Sequence, residues 1–278
     1  MQLEAIKKSK KRIQTCFSRA AKHYDQHAFF QQKVANQLMD LLLNGLASPQ
    51  PLSVGGGDFR ILDLGCGSGY SFADLKTLYP EASVIGLDLS LSQCLQASMK
   101  NSAEVLCADF DALPFPDQSF DLVFSSLTLQ WSLSFQDSLK AIARILKPQG
   151  ILIFSTLTEG SLKELQEAKA GAGRFHPLSY HFLSFEENLS SLHALGFEVF
   201  SSQSCSEKYS FDSPIEVMRN LKNVGANYSS TWELGLSTKQ SLMKIQAAYK
   251  RDPSTQQYPL TYQVAYFVGK KRKLRWNN

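Results

Sequence analysis

From residue 59 onward, short apolar runs alternate with longer stretches in which apolar positions recur every three or four residues. The runs "FRILDL", "ASVIGLDL", "AEVLCAD" and "FDLVFSS" have the length of buried strands, and the segments after them have the period of helices. The first helix ends near Pro80 and the second covers 90–100; a turn-rich "FDALPFPDQS" precedes the fourth strand. A further helix runs through "FQDSLKAIARIL", and Pro148 and Gly150 end it and launch a fifth strand, "ILIFSTL". Such alternation predicts βαβ units and a parallel sheet covered on both faces.

Outside this stretch the rhythm changes. Residues 12–46 read as helical, and "ASPQPLSVGGGD" at 47–58 is a Pro/Ser/Gly linker. After Thr158 come a helix at 159–169, "GAGRFHP", a helix at 184–195, a strand near 196–203 and a largely helical 211–250. The β-branched and aromatic "YPLTYQVAYFVGKK" closes the pattern as a long strand. The expected organisation is therefore a helical cap (1–46), the linker (47–58), a ligand-binding core (59–158), helical additions (159–257), and a final strand with a basic tail (258–278).

Composition adds little to this picture, but charge does. At 44% hydrophobic and 19% charged, the 278-residue chain resembles an ordinary globular protein. No apolar run approaches the roughly 18 residues of a membrane span, and no apolar segment follows the basic start as in a secretory signal. Five cysteines at 16, 66, 94, 107 and 205 form no CxxC pair, which fits a reducing, cytoplasmic setting and predicts no metal site. The net charge of +4 is uneven: Lys7, Lys8, Lys10, Lys11 and Arg12 sit at one end and Lys270, Lys271, Arg272, Lys273 and Arg275 at the other. Such ends suit an acidic partner, or are solvated termini.

The densest chemistry lies where "ILDLGCGSGY" leaves the first strand. Asp63, Gly65, Cys66, Gly67 and Gly69 form a DxGxGxG turn between a strand and a helix, where backbone can approach a ligand. A dinucleotide fingerprint needs its third glycine where this chain has Tyr70, and the absence of GK[ST] excludes a P-loop. Asp88, followed by Leu89, ends the second strand, where an acid can accept both ribose hydroxyls. Asp109 and Phe110 end the third, a polar group beside an aromatic able to flank adenine. Asp63 needs a partner to offset its burial at a strand end, and a ligand ammonium would be one. Adenine, ribose and a zwitterionic tail without pyrophosphate describe S-adenosylmethionine, with Ser126 and Leu127 lining its methionine side from the fourth strand. Cys66 reads as a small packing residue within the turn.

Residues 58–158 resemble class I S-adenosylmethionine-dependent methyltransferases in motif order. The resemblance implies a Rossmann-like α/β fold with a seven-stranded, mostly parallel sheet, its last strand antiparallel, plus N-terminal helices and a helical lid insertion. Beyond that core, "FSRAAKHYDQHAFFQ", "LTLQWS", "FSTLTEGSLKEL", "LKNVGAN" and "YPLTY" look like the malonyl-[acyl-carrier protein] O-methyltransferases of biotin synthesis. The resemblance implies methylation of the free carboxyl of a malonyl thioester on acyl carrier protein. It carries Tyr24 and Asp25 over as the family's tyrosine-acid pair, Gln31 as its following glutamine, and Phe175 as a pocket-wall aromatic. Arg174 either holds a carboxylate or is a surface residue.

An acidic carrier would be met by Arg174, Arg219 and Lys222, with the basic termini acting at longer range. No stable nucleic-acid or membrane partner is expected. A methyltransferase for a quinone or another small acid would share every donor-site residue. One for nucleic-acid bases would want an Asn/Asp-Pro-Pro-aromatic motif where this chain has "SSLTLQW".

Overall fold

The computed structural model describes residues 2–45, 59–173, 182–227 and 239–272, with side chains from residue 8. The 47–58 linker, Arg174, Phe175 and the basic tail from Lys273 lie outside them. Seven strands form one sheet in the order β3-β2-β1-β4-β5-β7-β6. They are β1 (Arg60–Leu64), β2 (Ser83–Asp88), β3 (Glu104–Cys107), β4 (Phe120–Ser126), β5 (Leu146–Leu157), β6 (Phe197–Phe211) and β7 (Tyr258–Lys271). The first five pair in parallel, with Leu62 opposite Ile85 and Val123, and Val123 opposite Leu152. β7 runs antiparallel to both neighbours: Gln149 reaches the Lys271 carbonyl while Thr158 donates to that of Gln263. On its other side Arg272 meets Gly196, and Gln263 meets Ser206.

The chain divides into two compact units, residues 28–156, 185–203 and 265–278 in one and 1–27, 157–184 and 204–264 in the other. The sheet unit contains α3 (Phe29–Gly45), α4 (Phe72–Leu78), α5 (Leu91–Asn101), α6 (Phe135–Ile145) and α8 (Phe185–Ala194). The central strands β1 and β4 are largely apolar because both of their faces are covered; Ile61, Leu62, Leu64, Leu122, Val123 and Phe124 are fully buried. α6 starts where the Ser134 side chain accepts from the Asp137 N–H, and it buries Leu139, Ile142 and Ile145. Phe267 stacks with both Phe154 and Phe185, its ring centroid 5.1 Å from each. Each such ring contributes about 1.5–3 kcal/mol by burial.

The second unit holds α1 (Gln2–Ala20), α2 (Tyr24–His27), α7 (Lys163–Gly171), α9 (Pro214–Asn223) and α10 (Lys239–Ala248). α10 packs on α7 and α9, and α9 on α1 and α2. Gly225, with φ +71°, brings the turn after α9 onto Phe17 of α1; a Cβ there would lie 2.8 Å from the ring. Two stretches that carry the family resemblance, one around Phe17 and one around Gly225, are thus in mutual contact.

Three elements depart from the sequence pattern. β5 begins at Leu146, before Pro148: Phe120 pairs with Leu146 and Leu122 with Ile151, so "KPQG" bulges out within the pairing. The bulge is tied down by the Lys147–Asp121 ion pair at 2.7 Å. α7 starts at Lys163 because Gly160 and Leu162 adopt φ of +87° and +57°, and Ser161 exchanges hydrogen bonds with the Gln263 backbone instead. β6, expected near 196–203, runs to Phe211 with strict alternation of half-buried and exposed positions.

Candidate active site

The turn after β1 is shaped by three glycines in the left-handed region, Gly65 at φ +75°, Gly67 at +53° and Gly69 at +77°. A Cβ on Gly65 would lie 2.1 Å from Thr128 Oγ1, and one on Gly69 2.5 Å from Asn101 Nδ2. The first demand on these two positions therefore comes from the protein itself. Asn101 donates to the Gly69 carbonyl at 3.2 Å, fixing the turn to α5. Cys66 is buried with its sulfur toward Gly86, and burial raises its thiol well above the usual range, as befits a packing residue.

Asp88 holds the same turn from the side. Its carboxylate accepts from the Gly67 N–H at 3.0 Å and from the Ser90 N–H at 2.8 Å. Burial nonetheless pushes the carboxyl up to about 6. The Leu89 N–H is a third backbone donor to the same carboxylate. Asp63 is buried at 3% exposure, and its Oδ2 has no hydrogen-bond partner. Burial, with the Asp88 charge second, pushes it up to about 8. A buried carboxyl oxygen without a hydrogen-bond partner is costly, and a cationic group beside it would offset that cost.

Gln31 lies at the N-terminal end of the buried α3 stripe Val34, Ala35, Leu38 and Leu42, and its Oε1 is buried without a partner. Ser126 and Leu127 leave β4 in an unusual conformation, Leu127 having φ +50°. The Leu127 N–H is held by Ser155 at 3.1 Å, and its carbonyl accepts from Gln130 Nε2 at 2.7 Å. Leu89 is half-buried after β2, its carbonyl accepting from Cys107 Sγ at 3.7 Å. Asp109 caps the short helical turn after β3, accepting from the Asp111 N–H at 3.0 Å. Phe110, expected beside adenine, is 6% exposed and packs in the core.

The donor-side residues read from the sequence thus all fall in the sheet unit, at the C-terminal ends of β1, β2, β3 and β4 and on α3. Tyr24 and Asp25 open α2 in the other unit, where Arg219 and Lys222 stand exposed one turn apart on α9. Sequence reasoning missed Asn101, Thr128, Gln130 and Ser155. Thr128 and Gln130, inside "LTLQWS", and Ser155, inside "FSTLTEGSLKEL", lay in stretches already singled out; Asn101 did not.

A family model for a methyltransferase domain matches residues 62–154. Over 266 residues the chain is 32% identical to the malonyl-[acyl-carrier protein] O-methyltransferase of a Marinomonas species, covering 94% of each protein. It is 35% identical to the Salmonella typhimurium protein of the same name, over 94% of this chain and 96% of that one. The chain belongs to the malonyl-[acyl-carrier protein] O-methyltransferase family. It is an S-adenosylmethionine-dependent methyltransferase, and its fold recurs in solved methyltransferases. The geranyl diphosphate C-methyltransferase of Streptomyces coelicolor, solved with S-adenosyl-L-homocysteine, superimposes with a TM-score of 0.51 at 14% identity, over 85% of this chain and 78% of that one. The residues of the methyltransferase fit such a ligand: an orphaned buried carboxyl, a glycine cradle and an acid at the end of β2 match an ammonium, a tail and a ribose.

Proposed function

We propose that the enzyme methylates the free carboxylate of a malonyl thioester carried by acyl carrier protein, yielding the malonyl methyl ester that primes pimeloyl synthesis for biotin. The observation that carries this reading is near full-length similarity to relatives of that name. When bound, S-adenosylmethionine supplies an activated methyl group on a sulfonium. A malonyl carboxylate oxygen attacks the methyl carbon; the carbon–sulfur bond breaks, and its electron pair stays on sulfur. The carboxylate is already ionised near neutral pH, so no proton is moved. What remains for the protein is alignment and the exclusion of water.

In this reading Asp88 receives the ribose hydroxyls, Asp63 and Gln31 the amino-acid end, and Gly65, Gly67 and Gly69 form the floor of the tail's path. Cys66 and Leu89 shape the walls, Asp109 and Phe110 bound the adenine side, and Ser126 and Leu127 line the methionine. Tyr24, Arg174 and Phe175 serve the acceptor side, on the resemblance of their stretches to the family. Arg174, Arg219 and Lys222 dock the acidic carrier. The charge layout supports that assignment: the unit containing them has 17 basic and 10 acidic residues, the sheet unit 12 and 15. No described helix is long and apolar enough to cross a membrane, and we place the reaction in the cytoplasm. Mass spectrometry of malonyl-carrier protein incubated with enzyme and donor tests the whole reading. A gain of one methyl group is expected; an unchanged carrier alongside methylation of a quinone or free small acid would overturn the substrate.

A further inference from the structure

Four buried acceptors among the described residues of the sheet unit have no donor: Gln31 Oε1, Asp63 Oδ2, Gln130 Oε1 and, on α5, Gln93 Oε1. The third is the most informative, because the donors near it can be counted. The Leu127 N–H is taken by Ser155, and Thr128 Oγ1 donates to the Ser126 carbonyl at 3.1 Å. The Trp131 N–H goes to Thr128 and the Ser132 N–H to Leu129. Gln130's own Nε2 is committed to the Leu127 carbonyl. A buried amide carbonyl left without a donor costs about 1–3 kcal/mol. Several donors of its own segment are thus committed elsewhere, and a donor from a ligand would satisfy it.

Position says what kind of partner. Asp63 lies opposite Phe124 in the β1–β4 pairing, α3 packs on β4, and Gln130 clamps the residue that follows β4. Gln31, Asp63 and Gln130 thus belong to elements on or next to β4, whereas Gln93 sits on α5 against β2 and β3. An ammonium carries three N–H donors and no acceptor, which matches three acceptors, one of them a carboxyl.

We propose that Gln130 is a donor-binding residue: Nε2 locks the strained Leu127 carbonyl, while Oε1 joins Asp63 and Gln31 in receiving the ammonium of the donor's amino-acid end. This rests on the donor site proposed above and adds a residue that the sequence pattern did not supply. It also gives Leu127 a reason for its left-handed backbone, since that conformation turns its carbonyl to Gln130.

The test is calorimetric and needs no turnover. S-Adenosylhomocysteine and its desamino analogue, which lacks the α-amino group, are titrated into wild type and Gln130→Leu. Wild type should prefer the amino-bearing ligand, and Gln130→Leu should lose roughly tenfold or more of that preference, the scale of a hydrogen bond to a charged group. Binding of the desamino analogue should change less than about twofold. Equal losses for both ligands would show that Gln130 acts only through the fold, and would overturn the proposal. Should Gln130→Leu not fold, Gln130→Glu decides, since it keeps an acceptor and must keep the preference; its loss there would also overturn the proposal. Wild type that binds neither ligand would instead remove the donor site itself, and this inference with it.

Discussion

If Asp63 receives the donor's ammonium as proposed, donor binding should release a proton. With its carboxyl pushed up to about 8 by burial, roughly nine-tenths of the free enzyme is protonated there at pH 7. A ligand ammonium beside Oδ2 favours the carboxylate, so the proton leaves on binding. Affinity must then rise with pH, and the size follows from the same value. Between pH 6 and pH 8 the ionised fraction rises from a small minority to about half, a gain in affinity on the order of tenfold or more, or about 2 kcal/mol. Above pH 8 the gain levels off, because the carboxyl is ionised and the ligand's own amine begins to lose its proton. Asp88, raised to about 6, adds at most about a twofold effect at the acid end. Calorimetry of S-adenosylhomocysteine at pH 7 in phosphate and in Tris, which differ in ionisation enthalpy, should report close to one proton released per ligand. Asp63→Asn should bind weakly, release none and show a flat profile. The free enzyme gives an independent check. Because its folded value lies above the ordinary carboxylate value, the contribution of Asp63 to stability is full below about pH 4 and is lost as pH climbs towards 8. Asp63→Asn should remove that slope. A proton count near zero in wild type, with affinity indifferent to pH, would refute the assignment of an orphaned carboxyl to an ammonium.

Three further outcomes follow from the geometry. Gly65→Ala should lower the melting temperature and donor affinity together, since its Cβ meets Thr128 Oγ1 at 2.1 Å, and Thr128→Gly in the same chain should restore part of the loss; no rescue would mean that φ +75° alone sets the requirement. Reversing Arg219 and Lys222 to Glu should cut kcat/KM on malonyl-carrier protein at low salt and spare a short malonyl thioester, with the difference closing as the Debye length shrinks from about 10 Å at 0.1 M to about 3 Å at 1 M; equal losses on both substrates would sink the docking role. Tyr24→Phe should slow methyl transfer with little change in melting temperature, whereas lost stability or untouched turnover would return Tyr24 to ordinary helix packing.

Where the chain buries both faces of an element, the pattern of apolar positions was enough. β7 was bounded correctly from "YPLTYQVAYFVGKK", because ten of its fourteen residues are buried and leave an almost continuous apolar run. The outer part of β6 was missed, since "SCSEKYS" is polar on the exposed side and carries only half-buried positions between. The start of α7 was placed early because nothing in "TEGSLKEL" announces that Leu162 turns left-handed. The site divides in the same way. Asp63, the glycines and Asp88 were legible because strand ends and φ > 0 leave marks in residue type. Gln130 and Ser155 act on the backbone of Leu127, and a leucine at φ +50° has no signature in a single sequence. Gly86 was passed over as a strand residue, although its missing Cβ is what admits the Phe72 ring at 2.6 Å.

The alternation along β6 bears on the protein's behaviour at high concentration. β6 is the outermost strand of the sheet and one of its two longest, and such an unpaired rim is a template on which a second chain can add a strand. Its exposed positions include Ser202, Ser204, Ser206 and Ser210 around Lys208, with Phe200 the one large apolar side chain among them. Serine offers little apolar area to an incoming strand, and the lysine charge repels a second copy aligned in register. At the opposite rim β3 is protected by brevity, with four residues and Glu104 at its start. Replacing Ser202, Ser204 and Ser206 with valine would keep the strand, leave the donor site untouched and give the protein a sticky rim. Colloidal stability is thus held by residues that take no part in chemistry.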